Sequence, residues 1–126
     1  MDGGLGASIY DILKSNGVTN LYPITVGTPT TVRDRTGSIR FANVRAAVWW
    51  NLRDMLNADT GDGIMLPPLE VLEKDLIAPR FTFTRDNLMQ LESKDSLRDR
   101  IGKSTDYGDA VCLAFWNASR GGGVVF

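Results

Sequence analysis

One stretch, Asn43 to Asn57, sets the condition that any fold of this chain has to meet. Val44, Ala47, Val48, Leu52, Met55 and Leu56 recur at helical spacing behind Asn43, a residue suited to capping. The stretch therefore predicts an amphipathic helix with one apolar face to bury. Trp49 and Trp50 are adjacent, so they point about 100° apart and cannot both lie at the centre of that face. They read as packing residues first, with base stacking a weaker alternative.

The flanking segments say what such a helix packs against. Ahead of it, Ala7 to Ser15 reads as a short helix stopped by Gly17, and Val18 to Val26 as a strand whose Pro23 suits an edge or an end. Loop, helix and strand in that order are the second half of a βαβ crossover, with the first strand expected upstream. Gly27 to Arg40 is a Thr-rich polar loop carrying Arg33, Arg35 and Arg40. A solvated loop is the simpler reading, and contact with phosphates the alternative. After the helix, Ala58 to Gly63 is a turn, and Pro68 to Ile77 a short helix with proline in its first turn. Arg80 to Thr84 and Leu88 to Glu92 are strand-like runs joined by Arg85-Asp86-Asn87, a hairpin signal. Lys94 to Ile101 is a charged amphipathic helix with Leu97 and Ile101 inward, stopped by Gly102. A last helix runs from Ser104 to Ala118, with Ala110, Val111, Cys112, Leu113 and Ala114 as candidates for burial. Residues 120–126 read as a flexible tail. Strands and helices in this order predict an α/β domain spanning 1–119.

Composition narrows the chemistry. The 126 residues contain no histidine and one cysteine, Cys112. Histidine-dependent triads, Cys-His pairs and the usual zinc sites are thereby excluded, and so is an internal disulfide. Carboxylates remain as the acids, bases or metal ligands. A net charge of −1, from 14 basic and 15 acidic residues, argues against a protein that coats nucleic acid, though not against a nuclease with local contacts. No apolar run reaches transmembrane length and no signal pattern opens the chain, so no membrane partner is expected.

Carboxylates stand beside tight, glycine-marked backbone in two places. Asp2 opens the chain before Gly3-Gly4-Leu5-Gly6, and Asp106 and Asp109 follow Gly102-Lys103-Ser104-Thr105. Taken alone, Asp106 and Asp109 read as ordinary first-turn acids favoured by the helix dipole. The sharper alternative makes them metal ligands at a helix start, able to meet Asp2 across the sheet. Hard oxygen ligands without histidine suit Mg²⁺ or Mn²⁺. Gly4-x-Gly6 lacks the third glycine of a dinucleotide fingerprint, and the chain has no P-loop.

Four blocks occur in an order that resembles a known family. They are Gly3 to Asp11 (GGLGASIYD), Phe41 to Trp50 (FANVRAAVWW), Leu91 to Lys94 (LESK) and Arg100 to Ala110 (RIGKSTDYGDA). Together they resemble the C-terminal part of the nuclease domain of bacteriophage terminase large subunits. The resemblance implies an RNase H-like fold, a mixed sheet flanked by helices, with an acidic cluster that holds two divalent ions, Mg²⁺ or Mn²⁺. It implies cleavage of concatemeric double-stranded DNA during packaging, in the bacterial cytoplasm, beside terminase small subunit and portal protein. By position, Asp2 matches the second acidic motif of the family, Asp106 the third-motif aspartate, and Asp109 its neighbour one turn on. Thr105 stands where the family often has proline. The first acidic motif, the first strands of the sheet and the ATPase domain would all lie upstream of Met1. A partial domain is therefore expected, one that needs that missing segment for activity. The alternative is a non-catalytic prophage remnant or an interaction module of the packaging complex. A nucleotide-binding domain built on Gly3 to Gly6 ranks last.

Overall fold

The computed structural model describes residues 15–17, 21–22, 26–119 and 124–125. Asp2, the glycine-rich opening and most of the expected Ala7–Ser15 helix lie outside these residues. Helix α1 spans Val44–Leu56. Asn43 is extended, and its side chain accepts from the Ala46 amide at 3.0 Å, supplying a partner that the first turn lacks. Arg45, Val48, Trp49, Leu52 and Met55 lie along its buried face together with Ala46 and Ala47. The chain then folds back sharply under Asn57. Gly61 donates to the Asn57 carbonyl, and a Cβ at Gly61 would sit 2.4 Å from the carbonyl oxygens of Met55 and Asn57, so only glycine fits.

Helix α2 spans Glu70–Ile77, two residues later than the proline suggests. The Leu69 amide bonds to the Pro67 carbonyl at 2.8 Å, which places Pro68 at the corner of a tight turn and outside the helix. Strands β2 (Phe81–Phe83) and β3 (Met89–Leu91) pair antiparallel, with Phe81 opposite Leu91 and Phe83 opposite Met89. Their loop is the expected Arg85-Asp86-Asn87, and Asn87 adopts φ of 62°, a left-handed conformation that asparagine tolerates. Met89 also exchanges backbone bonds with the segment around Phe41, which adds a short parallel contact on the other side of β3. Helix α3 spans Lys94–Ile101, as the sequence predicts. Ser93 caps its start and Gly102, at φ of 78°, closes its end. Leu97 is buried and Ile101 half-buried.

Helix α4 spans Asp106–Ser119. Here the expected inward set needs correction. Cys112 is fully buried, and Val111 and Leu113 are half-buried, but Ala110 and Ala114 face solvent. The face that meets α1 runs through Thr105, Gly108 and Cys112, because Gly108 lets the backbone come close there. Two short strands complete the described elements. β1 (Leu21–Tyr22), inside the expected Val18–Val26 strand, pairs parallel with β4 (Val124–Val125), which falls within the expected tail.

Helices α1 and α4 and the β2–β3 hairpin share one core. Phe41, Ala46, Ala47, Val48, Trp49, Leu52, Met89, Leu91 and Cys112 form it. Trp49 is buried within it. Trp50 lies at its margin, edge-on to Phe81 at 5.1 Å between ring centroids, with the Arg53 guanidinium 4.1 Å over its ring. Both tryptophans are packing residues, as their adjacency implies. Among the described residues no helix is long and apolar enough to cross a membrane.

Candidate active site

The first turn of α4 is the most tightly specified backbone in the molecule. A Cβ at Gly108 would come within 2.8 Å of the far edge of the Trp49 indole and 3.1 Å of the Asp75 Cβ. Glycine is therefore required for the turn to nest between α1 and α2. That close approach brings two carboxylates to one helix start.

Asp75 comes from α2 and is 1% exposed. Its Oδ2 accepts from the Gly108 amide at 3.1 Å, and its Oδ1 from the Lys103 ammonium at 3.0 Å. A buried carboxylate is tolerable here because a free helix amide and a cation both meet it. Sequence reading missed this residue. The signal was present: Asp75 sits between Leu72 and Leu76 on the inward face of a short helix, where a charge is out of place unless something pairs with it.

Asp109, in α4 itself, is held differently. Its Oδ1 accepts from the Trp49 indole N–H at 3.2 Å, and Lys94 approaches Oδ2 at 3.5 Å. Its side chain retains 23% of its exposure, so carboxylate lone pairs remain open to a further ligand. Asp106, one turn earlier, is exposed and meets no partner among the described residues. Of the three aspartates that the sequence singles out, the structure thus brings Asp109 into a constellation of side chains and leaves Asp106 at the rim. Asp2 lies outside the described residues.

Arg45 completes the surroundings of Asp109. It is 8% exposed, and its Nη1 donates to the Glu92 carbonyl at 2.6 Å. Burial pulls its pKa down, opposed by the nearby charge of Asp109. A small cavity of about 20 Å³ lies among Arg45, Lys94, Trp49 and Asp109, with Val26, Val48 and Leu113 as its apolar wall. The backbone at Glu92 that fixes Arg45 is itself anchored. The Glu92 carboxylate accepts from Arg100 and from the Ser96 hydroxyl, tying the end of β3 to α3. The Arg100 guanidinium holds the Glu92 carboxyl down at about 2. Cys112 lies beneath the site, its thiol pushed far above the ordinary value by burial, and takes no part as a nucleophile.

A divalent ion is implied by the resemblance, and the donors can be tested against it. In kind they fit: hard carboxylate oxygen, no histidine and no reactive thiol. In number they fall short, since among the described residues no three acidic or thiol side chains converge on one point.

No protein-family profile matches the chain, and neither does any curated protein. A solved structure does. The chain is similar to a lysine-to-alanine mutant nuclease domain of the large terminase subunit gp2 of the bacterial virus Sf6, determined with manganese. The TM-score is 0.54 at 18% sequence identity, over 71% of this chain and 50% of that one. The chain therefore has the α/β fold of a phage terminase nuclease domain and spans about half of that domain's length. The RNase H-like class implied by the sequence blocks agrees with this likeness.

Proposed function

We propose that this α/β chain, with the fold of a phage terminase nuclease domain, is part of such a nuclease and acts on double-stranded DNA. The observation that carries the reading is Asp109. It is an ionisable oxygen ligand at the first turn of α4, held by Trp49 and Lys94 yet still open to a ligand, in a fold shared with a domain that was determined with manganese. Asp109 is the main metal-binding carboxylate, with Asp106 and Asp2 as further ligands for Mg²⁺ or Mn²⁺. A bound pair of such ions activates water and stabilises the leaving oxygen in phosphodiester hydrolysis. What the chain itself contributes is orientation. Trp49 fixes the carboxylate by one oxygen, Lys94 balances its charge, and Gly108 sets the helix start at the depth where both contacts form. Packaging of concatemeric DNA beside small subunit and portal is the setting that this reading assigns.

The shortage of convergent carboxylates among the described residues favours a second reading, a non-catalytic module of the packaging complex. Nicking of supercoiled plasmid in Mn²⁺ separates the two. The chain is assayed alone and with an added segment that carries a first-strand aspartate. Metal-dependent nicking by wild type, abolished in Asp109→Asn, supports the nuclease. A folded chain that stays inactive under both conditions leaves the non-catalytic module.

A further inference from the structure

The Asp109 cavity contains an arginine with unused hydrogen bonds. Nη1 of Arg45 is committed to the Glu92 carbonyl. Its Nε and Nη2 are shielded from solvent and have no acceptor. These two atoms form one edge of the guanidinium, with parallel N–H bonds spaced to grip two oxygens of one planar or tetrahedral oxyanion. Leaving two such donors buried and unmet costs about 1–3 kcal/mol each, so a fold that keeps them has a standing preference for an acceptor.

The charges around this edge decide the sign of the ligand. Arg45 and Lys94 are cationic and Asp109 is anionic, so the cavity carries a net positive charge among its described lining residues. The Arg45 head cannot swing away, because the Glu92 carbonyl pins it and the Glu92–Arg100 pair stiffens that backbone. At about 20 Å³ the space admits about one water-sized atom. A ligand therefore enters by an oxygen and keeps its bulk outside.

We infer that the Nε/Nη2 edge of Arg45 is an oxyanion fork beside Asp109, and that it takes a phosphodiester oxygen of the nucleic-acid backbone. The identity of the anion rests on the nuclease reading, whereas the fork does not. Lys94 provides the second positive charge at the same opening, and Asp109 on the opposite side keeps the anion from settling where a metal ion would bind. Arg45 is thereby a substrate-positioning residue, reached from α1 and not from the loop arginines at 33, 35 and 40.

The test uses the intact chain without metal, so it does not depend on cleavage. The Nε–H resonance of Arg45 is followed by NMR, assigned by its loss in Arg45→Lys, during titration with inorganic phosphate, a short thymidine oligonucleotide, or acetate. The expected result is a saturable shift with phosphate and a tighter one with the oligonucleotide. Arg45→Lys keeps the charge but lacks the fork, and weakens phosphate binding by about tenfold or more. A resonance that does not respond to phosphate or oligonucleotide overturns the fork. So does equal phosphate affinity in a folded Arg45→Lys variant. A response to acetate alone overturns the phosphodiester assignment. If saturable binding appears while plasmid nicking does not, the fork stands and the nuclease reading falls.

Discussion

Asp75 and Asp109 meet the same helix start and are built for opposite ends. Asp75 is fully buried and has both oxygens engaged, one by the Gly108 amide and one by Lys103. Asp109 is partly exposed and receives an indole N–H and a more distant ammonium, which leaves capacity on the carboxylate. Saturation at zero exposure gives a structural carboxylate, and partial satisfaction at the rim gives one available for chemistry. Residue type does not separate the two roles; the number of donors that the fold supplies does.

The largest effect expected from this difference is on stability. Asp75→Ala removes the partner of a buried amide and of Lys103, and should destabilise the chain by about 3–5 kcal/mol, the range for breaking a buried charged pair. Asp75→Asn keeps an acceptor for Gly108 and should cost clearly less, since Lys103 can turn to solvent. Denaturant unfolding of both variants checks this, and equal losses would break the distinction between cap and ion pair. Gly108→Ala tests the close approach that both aspartates depend on. Overpacking against the Trp49 ring should outweigh the gain in helix propensity of about 1 kcal/mol, for a net loss of about 1–2 kcal/mol. A stabilised Gly108→Ala would mean that the turn has slack.

A third carboxylate calibrates the pair at low pH. Arg100 holds Glu92 at about 2, below the ordinary 4.5. A folded-state pKa below the unfolded one stabilises the fold above the unfolded value, and the contribution is lost as pH falls from about 4.5 through about 2. Acid titration should therefore show wild type losing stability across that window. Arg100→Met, which frees Glu92, should lose less there, and identical acid profiles would remove Glu92 from the account.

Much of the fold was legible because local signals agreed. The stripe and cap of α1, the Ser93 and Gly102 limits of α3, and the hairpin turn at Arg85-Asp86-Asn87 each pair a hydrophobic pattern with the backbone chemistry that ends it. Where the reading slipped, the deciding contact was distant in sequence. Ala110 and Ala114 are apolar enough for either face of α4, and only the nesting of Gly108 against Trp49 and Asp75 settles which face turns in. Pro68 is compatible with a helix start and with the tight turn that it actually occupies. Val124 and Val125 lie in a glycine-rich tail yet find a partner in β1, far back in the chain. At the site, Asp106 and Asp109 are indistinguishable in sequence as first-turn acids. Their difference comes from Trp49 on α1 and Lys94 on α3. Arg45 looks like one more charge on a helix until its burial is seen.

The central claim is that Asp109, more than Asp106, holds the metal. Titration calorimetry of Mn²⁺ into wild type, Asp109→Asn and Asp106→Asn tests it most directly, because neither substitution should cost more than about 1 kcal/mol of stability at these partly exposed positions. The account predicts measurable binding in wild type, its loss in Asp109→Asn and a weaker reduction in Asp106→Asn. Binding that survives in Asp109→Asn and vanishes in Asp106→Asn would contradict it.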